Sequence, residues 1–116
     1  MRYMLLIYDN EALSEEQTED ERNEVFARYR AFTEEVQQAG VYEGGDPLHG
    51  VATATSVRVR DGQVINTDGP FAETKEQLGG YYILNCTSLD DALAYAAKIP
   101  SADFGTIEVR PILEFE

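Results

Sequence analysis

Apolar residues dominate both sides of the alternation at the start of the chain. In residues 2–8, Tyr3, Leu5 and Ile7 fall on one side of an extended strand, and Met4, Leu6 and Tyr8 on the other. A strand apolar on both sides predicts cover on both faces of its sheet. The period then lengthens. Val25, Tyr29, Phe32, Val36 and Ala39 recur at helical spacing, which predicts one long helix over residues 15–39. Ser14 with Gln17, or Thr18 with Glu21, supplies a capping box at its start. Glu15, Glu16, Glu19, Asp20 and Glu21 crowd the first turns, where the helix dipole favours negative charge, and Gly40 is a natural stop.

Gly44, Gly45, Pro47 and Gly50 interrupt any period over residues 41–52, which therefore read as loop. Alternation resumes over residues 53–60, turns at Asp61-Gly62 and returns over residues 63–67, a predicted hairpin. Asp68-Gly69-Pro70 ends it. A charged connection over residues 71–78 and the pair Gly79-Gly80, taken as a turn, lead to a strand over residues 81–86. Ser88 with Asp91 caps a second helix whose buried side is Leu89, Ala92, Leu93 and Ala96, and Pro100 ends it. Residues 106–112 form the last strand, with Pro111 marking an edge.

The order predicts a single α+β domain over residues 1–116, a ferredoxin-like βαββαβ sheet with both helices on one face. The second face, with Tyr3, Tyr81 or Tyr82 among its candidate residues, then needs a cover. A second copy of the chain would supply one symmetrically, so a homodimer is expected.

Charge narrows the partners. With 22 Asp and Glu against 9 Lys and Arg, the net charge is -13. Phosphate backbones and anionic membranes both call for a basic patch, so no nucleic-acid or membrane partner is expected. The opening apolar run is too short for a membrane span, and no small-residue cleavage site follows it, so neither a span nor a signal peptide is expected there. Cys86 is the one cysteine and cannot form an internal disulfide, so a cytoplasmic setting is expected. Its place in an apolar strand predicts an inert core thiol.

The chain lacks both standard nucleotide-binding glycine patterns, a Cys/His zinc set, EF-hand spacing and a nucleophile elbow. Neither a cofactor nor a metal is therefore expected. The chemistry that remains lies between His49 and Glu76. His49, the one histidine, is either an exposed loop residue or a group of the one type suited to proton exchange near neutral pH. Asp68 either closes a turn or faces a cleft. Glu73, Lys75 and Glu76 form either a surface salt-bridge set or a polar rim. The functional expectation is a cleft near the end of the sheet. In it His49 and Asp68 exchange protons, Phe71 forms an apolar wall, and Glu73 and Lys75 set polarity. Lys75, one of two lysines, would anchor an anionic ligand.

The stretch Asp68-Gly69-Pro70-Phe71-Ala72-Glu73-Thr74-Lys75-Glu76-Gln77-Leu78-Gly79-Gly80-Tyr81-Tyr82 resembles the signature of the DGPF proteins, a branch of the YCII-related family. Residues 2–8 resemble that family's opening strand, residues 52–58 its central strand, and Glu108-Val109-Arg110-Pro111 its closing strand. The resemblance implies a dimeric α+β barrel. It also implies a His–Asp pair, for which His49 and Asp68 are the candidates here, and action on small ring compounds as in some relatives. Three functions follow as expectations. The first is a small-molecule-binding dimer with a pocket near the Asp68 loop. The second is a cofactor-free acid–base enzyme. The third is a regulatory partner of an extracytoplasmic-function sigma factor, since many family members are encoded beside one.

Overall fold

The computed structural model describes residues 1–115. Alternation in the opening segment produces β1 (Arg2–Asp9), in which Tyr3, Leu5 and Ile7 are buried and Met4, Leu6 and Tyr8 half-buried. The chain continues through α1 (Glu11–Glu15), α2 (Glu19–Gln38), β2 (Tyr42–Pro47), a 3-10 turn (Val51–Thr53), β3 (Thr55–Arg60), β4 (Gln63–Asp68), β5 (Gln77–Asn85), α3 (Leu89–Ala96), a second 3-10 turn (Pro100–Asp103) and β6 (Thr106–Pro111). The result is an α+β fold in which every strand pair is antiparallel. The main sheet has the order β2-β5-β1-β6, and β3-β4 forms a separate two-stranded sheet.

The second strand of the main sheet corrects the sequence reading. Residues 41–52 do not form a plain loop, because Tyr42–Pro47 pairs along β5. Its run Tyr-Glu-Gly-Gly-Asp-Pro has no apolar alternation, so periodicity is blind to it. The glycines serve close approach. A Cβ at Gly45 would lie 2.8 Å from the Tyr81 carbonyl oxygen, and one at Gly80 would lie 3.0 Å from that of Asp46. Gly79-Gly80, taken for a turn, therefore lies inside β5. Gly79 is the extra residue of a bulge, where the pairing with β1 steps from Ile7↔Gly80 to Tyr8↔Leu78.

The predicted hairpin forms, with Asp61 at φ 51° and Gly62 at φ 76°, both left-handed as a tight two-residue turn requires. It takes no place in the main sheet. Val57 and Val59, which share one face of the hairpin, are exposed.

One face of the main sheet carries the core. Tyr3, Leu5, Ile7, Tyr82 and Leu84 pack beneath Phe32 and Val36 of α2 and Ala92, Ala96 and Ile99 of α3 and its C-terminal turn. Tyr3 and Tyr82 thus belong to the helix side. Tyr81, one residue out of phase, belongs to the opposite face with Met4, Leu6, Tyr8 and Ile83, all half-buried. Leu89 and Leu93 are exposed, contrary to expectation. The buried line of α3 is Ala92, Ala96 and Ile99, because small side chains let this short helix sit close to the sheet.

The helix expected over residues 15–39 is divided. Asn10 caps α1, and its side chain accepts from Leu13 N–H at 3.3 Å. After a break, Thr18 and Glu21 form the capping box that opens α2. Thr18 Oγ1 accepts from Glu21 N–H at 3.1 Å, and the Glu21 carboxylate accepts from Thr18 N–H at 3.2 Å. Thr18→Ala should lower the unfolding free energy by about 1 kcal/mol, the usual worth of an exposed cap, as measured by denaturant titration. Ser88 caps α3, accepting from Asp91 N–H at 3.2 Å. Pro111 lies on β6, an edge strand, where a missing donor is tolerated.

Candidate functional site

The alternation that buries Tyr3, Leu5 and Ile7 continues for one more step and turns Asp9 toward the helix side. At that point the sheet is short of side chains. Gly80 lies opposite Ile7 and Gly45 opposite Tyr82, and neither fills the space under α2. A cavity of about 380 Å³ results. Ile7, Val25, Phe26, Tyr42, Tyr82 and Phe104 give it a mostly apolar lining, and Ser14 and Gln17 approach from the α1–α2 turn. A small, mainly apolar hollow with a few convergent polar groups is the usual form of a ligand site.

Those polar groups form a chain. Ser101, only 2% exposed, follows Pro100 in the turn after α3. Its hydroxyl donates to Asp9 Oδ2 at 3.4 Å and lies 2.5 Å from the Tyr29 hydroxyl. With the Ser101 proton directed at the carboxylate, Tyr29 is the donor in the second bond. Asp9 Oδ1 has no protein hydrogen-bond partner among the described residues. Burial pushes the Asp9 carboxyl up from its ordinary pKa. Ser101 opposes that shift, and the negative charges of Glu11 and Glu76 add to it. Burial also raises the Tyr29 phenol, against a smaller opposing contribution from Ser101, so Tyr29 stays a neutral donor. Deeper in, Thr33 Oγ1 bonds the Tyr29 carbonyl at 2.9 Å and lies 2.8 Å from the Tyr82 hydroxyl.

α1 closes one side of the cavity and is tied down at both ends of its first residue. Glu11 N–H donates to Gln77 Oε1 at 3.0 Å, and the Glu11 carboxylate accepts from Val51 N–H at 3.0 Å. No lysine, arginine or histidine lines the cavity. Asp46 borders it, but the Tyr81 hydroxyl donates to the Asp46 carboxylate at 2.7 Å on the opposite face of the sheet.

The residues singled out in the sequence lie elsewhere. His49 is exposed in the connection between β2 and the first 3-10 turn. Asp68 is exposed at the end of β4, paired with Thr55. Phe71 is 81% exposed, and Glu73 and Lys75 are exposed in the same connection. None of the five lines the cavity. His49 and Asp68 both flank the segment running into β3, whose Ala54 carbonyl accepts from Gly69 N–H at 2.7 Å. Sequence reasoning passed over Asp9, Tyr29 and Ser101. A signal for Asp9 was present, since it stands two residues beyond Ile7 on the strand's buried side. Tyr29 was read only as part of an apolar stripe, and nothing local marks Ser101. Cys86 is buried at the other end of the sheet, and burial pushes its thiol up from its ordinary pKa.

The sequence profile of the YCII-related domain matches residues 1–116. A curated relative, an uncharacterised protein of Rhizobium meliloti (strain 1021), is 36% identical over 114 residues, spanning 97% of this chain and 92% of that protein. Among solved structures, the chain is similar in fold to the 5-chloro-2-hydroxyhydroquinone dehydrochlorinase TftG of Burkholderia phenoliruptrix AC1100, in complex with 2,5-dihydroxybenzoquinone. The TM-score is 0.58 at 15% identity, covering 99% of this chain and 96% of that one.

Proposed function

The chain belongs to the YCII-related family, and on that premise we propose that it binds a small, uncharged, hydroxylated ring compound in the Asp9 cavity, with Asp9 as proton acceptor. The observation that carries this reading is the Asp9 carboxylate, bonded by Ser101, which Tyr29 bonds in turn, in a mostly apolar hollow whose other bordering carboxylate, Asp46, is engaged by Tyr81. A flat ring fits between the apolar walls, and a ring hydroxyl reaches Asp9 Oδ1. The raised carboxyl pKa brings the base nearer to neutrality, where it can both take a proton and return it. The lack of a cation in the lining disfavours anionic ligands, because a second negative charge beside Asp9 would go unpaired in a partly dry site.

Two features support placing this site in a homodimeric ferredoxin-like barrel. The strand order β2-β5-β1-β6, with both helices on one face, follows that plan. The half-buried opposite face has no helix of its own over it. The structural neighbour's name records an enzyme acting on a hydroxylated ring, the same ligand class.

Hydroquinone, neutral at pH 7, is the test ligand, with 4-hydroxybenzoate as its anionic counterpart. Calorimetric titration should show saturable hydroquinone binding and much weaker 4-hydroxybenzoate binding. Asp9→Ala should weaken hydroquinone binding roughly tenfold to a hundredfold, the worth of a hydrogen bond to a charged group. Affinity that survives Asp9→Ala but falls with Asp68→Asn or His49→Asn would move the site away from the Asp9 cavity to those residues.

A further inference from the structure

The hydroxyls deeper in the Asp9 cavity have fixed directions, and those directions constrain what a second ligand group must be. Thr33 has one hydroxyl proton. It goes to the Tyr29 carbonyl oxygen at 2.9 Å, because a carbonyl can only accept. The 2.8 Å bond between the Thr33 and Tyr82 hydroxyls therefore has Tyr82 as its donor. With its proton committed, the Tyr82 oxygen presents only lone pairs to the cavity it lines. The Tyr29 hydroxyl is in the same position, since its proton goes to Ser101. The Asp9 carboxylate is an acceptor as well.

The surroundings hold this arrangement. Thr33 lies four residues after Tyr29 on α2, so its bond to the Tyr29 carbonyl is made within the helix. Tyr82 is 8% exposed, and Phe32 and Tyr42 meet its ring edge-on, with centroids 5.1 Å and 6.3 Å away. Burial raises the Tyr82 phenol above its ordinary pKa, against a smaller opposing contribution from Thr33, so the proton stays on Tyr82. Ser14, Gln17 and Tyr42 also line the cavity, but their groups can donate or accept and set no preference. The spacing suits a ligand held at two points. Tyr82 faces Leu5 across the ladder, and Leu5 lies four residues before Asp9 on β1. At about 3.3 Å a residue, the two backbone positions are about 13 Å apart along the strands, a length that one aromatic ring with a hydrogen bond at each end can bridge.

We infer that the cavity selects ligands with hydrogen-bond donors at both ends: one ring hydroxyl donates to Asp9 Oδ1, and a second, across the ring, donates to the Tyr82 hydroxyl oxygen. Thr33 sets this selectivity by fixing the direction of the Tyr82 bond. The inference rests on the ring-compound reading above and narrows its ligand class. An ether, ketone or quinone oxygen in the second position would face the Tyr82 lone pairs, and Tyr82 has no proton to offer it.

Calorimetric titration of two ligands into three proteins tests this, in oxygen-free buffer so that hydroquinone stays reduced. Hydroquinone donates at both ends, whereas 4-methoxyphenol donates at one end and can only accept at the other. The wild type should bind hydroquinone roughly tenfold more tightly, the scale of one hydrogen bond lost and an acceptor left facing an acceptor. Thr33→Val keeps the shape of residue 33 and removes its hydroxyl. Tyr82 is then free to donate, so the preference should shrink several-fold, mainly through tighter binding of 4-methoxyphenol. Tyr82→Phe should shrink it as well, through weaker binding of hydroquinone. A preference that neither substitution changes would reflect only the size of the methyl group and would overturn the inference. Equal affinity of the wild type for the two ligands would overturn it too. In either case, hydroquinone binding that still falls with Asp9→Ala leaves the Asp9 reading standing. A wild type with no saturable hydroquinone binding would overturn both. Should Tyr82→Phe fail to fold, Thr33→Val decides alone, because residue 33 is only half-buried and valine matches threonine in shape.

Discussion

Gly105→Ala is expected to destabilise the protein by about 3 kcal/mol or more, the upper range for forcing an extra carbon into packed structure. Gly105 joins the turn after α3 to β6, and its N–H donates to the Ser101 carbonyl at 2.7 Å. A Cβ there would lie 2.1 Å from the Tyr8 carbonyl oxygen, 3.0 Å from Asp9 Cβ and 3.1 Å from Asp9 Cα. Two of these three are backbone atoms of β1 that cannot swing aside. Relief requires β6 to part from β1 near the Tyr8↔Thr106 pair. The melting temperature should fall by roughly 10 °C or more, a shift of several degrees for each kcal/mol in a domain of this size. The same push moves Asp9, so whatever folded protein remains should bind hydroquinone less well. A melt within a degree or so of the wild type, measured by calorimetry, would show that the strands can open here at little cost.

Asp9→Asn is expected to weaken hydroquinone binding by up to about tenfold, because a neutral acceptor replaces a charged one, while raising stability at neutral pH. The opposite signs share one cause. Burial raises the folded-state pKa of Asp9 above its unfolded value, so the ionised form is disfavoured in the fold. A group shifted in this direction contributes stability that is fully present below its unfolded pKa, about 3.9, and is lost as pH rises through its folded pKa. Asparagine carries no such loss. The gap in melting temperature between variant and wild type should therefore be near zero in acid, open as pH rises through the Asp9 titration, and stay open at neutrality. Thermal melts across pH measure it. A variant less stable than the wild type at pH 7 would mean that the bond from Ser101 outweighs the cost of burying the charge. Ser101→Ala is the companion change: it removes the opposing hydrogen bond, so the Asp9 titration should move further upward.

Much of the fold was legible in local pattern. Alternation at residues 2–8 marked β1 and its two apolar faces, because side chains on a strand point to opposite faces whatever lies around them. The Thr18/Glu21 capping box and the Asp61-Gly62 turn were readable for a similar reason. Each is satisfied by backbone groups within a few residues. The helical stripe placed Phe32 and Val36 in the core, although the helix predicted from residue 15 ran across the break that separates α1 from α2.

The candidate site was much less legible. The sequence reading favoured Asp68, His49, Phe71, Glu73 and Lys75, residues in a long distinctive stretch or of a chemically distinctive type. The fold leaves all five exposed and builds its cavity from Asp9, Tyr29 and Ser101, which lie far apart in the chain. Ser101 and Asp9 are 92 positions apart, and Tyr29 and Ser101 are 72 apart. No local rule links them.

The residues alone, through backbone geometry and side-chain periodicity, were enough to establish an α+β chain, its helix caps, its hairpin turn and the apolar face of its first strand. Long-range packing had to assign β2 to the sheet and exclude the hairpin from it. Gly45 faces Tyr82 and Gly80 faces Pro47 in a close strand meeting that neither one's neighbours announce. That meeting leaves the space in which Asp9, Ser101 and Tyr29 converge, and a cavity of this kind has no signature in sequence because it consists of side chains that are absent.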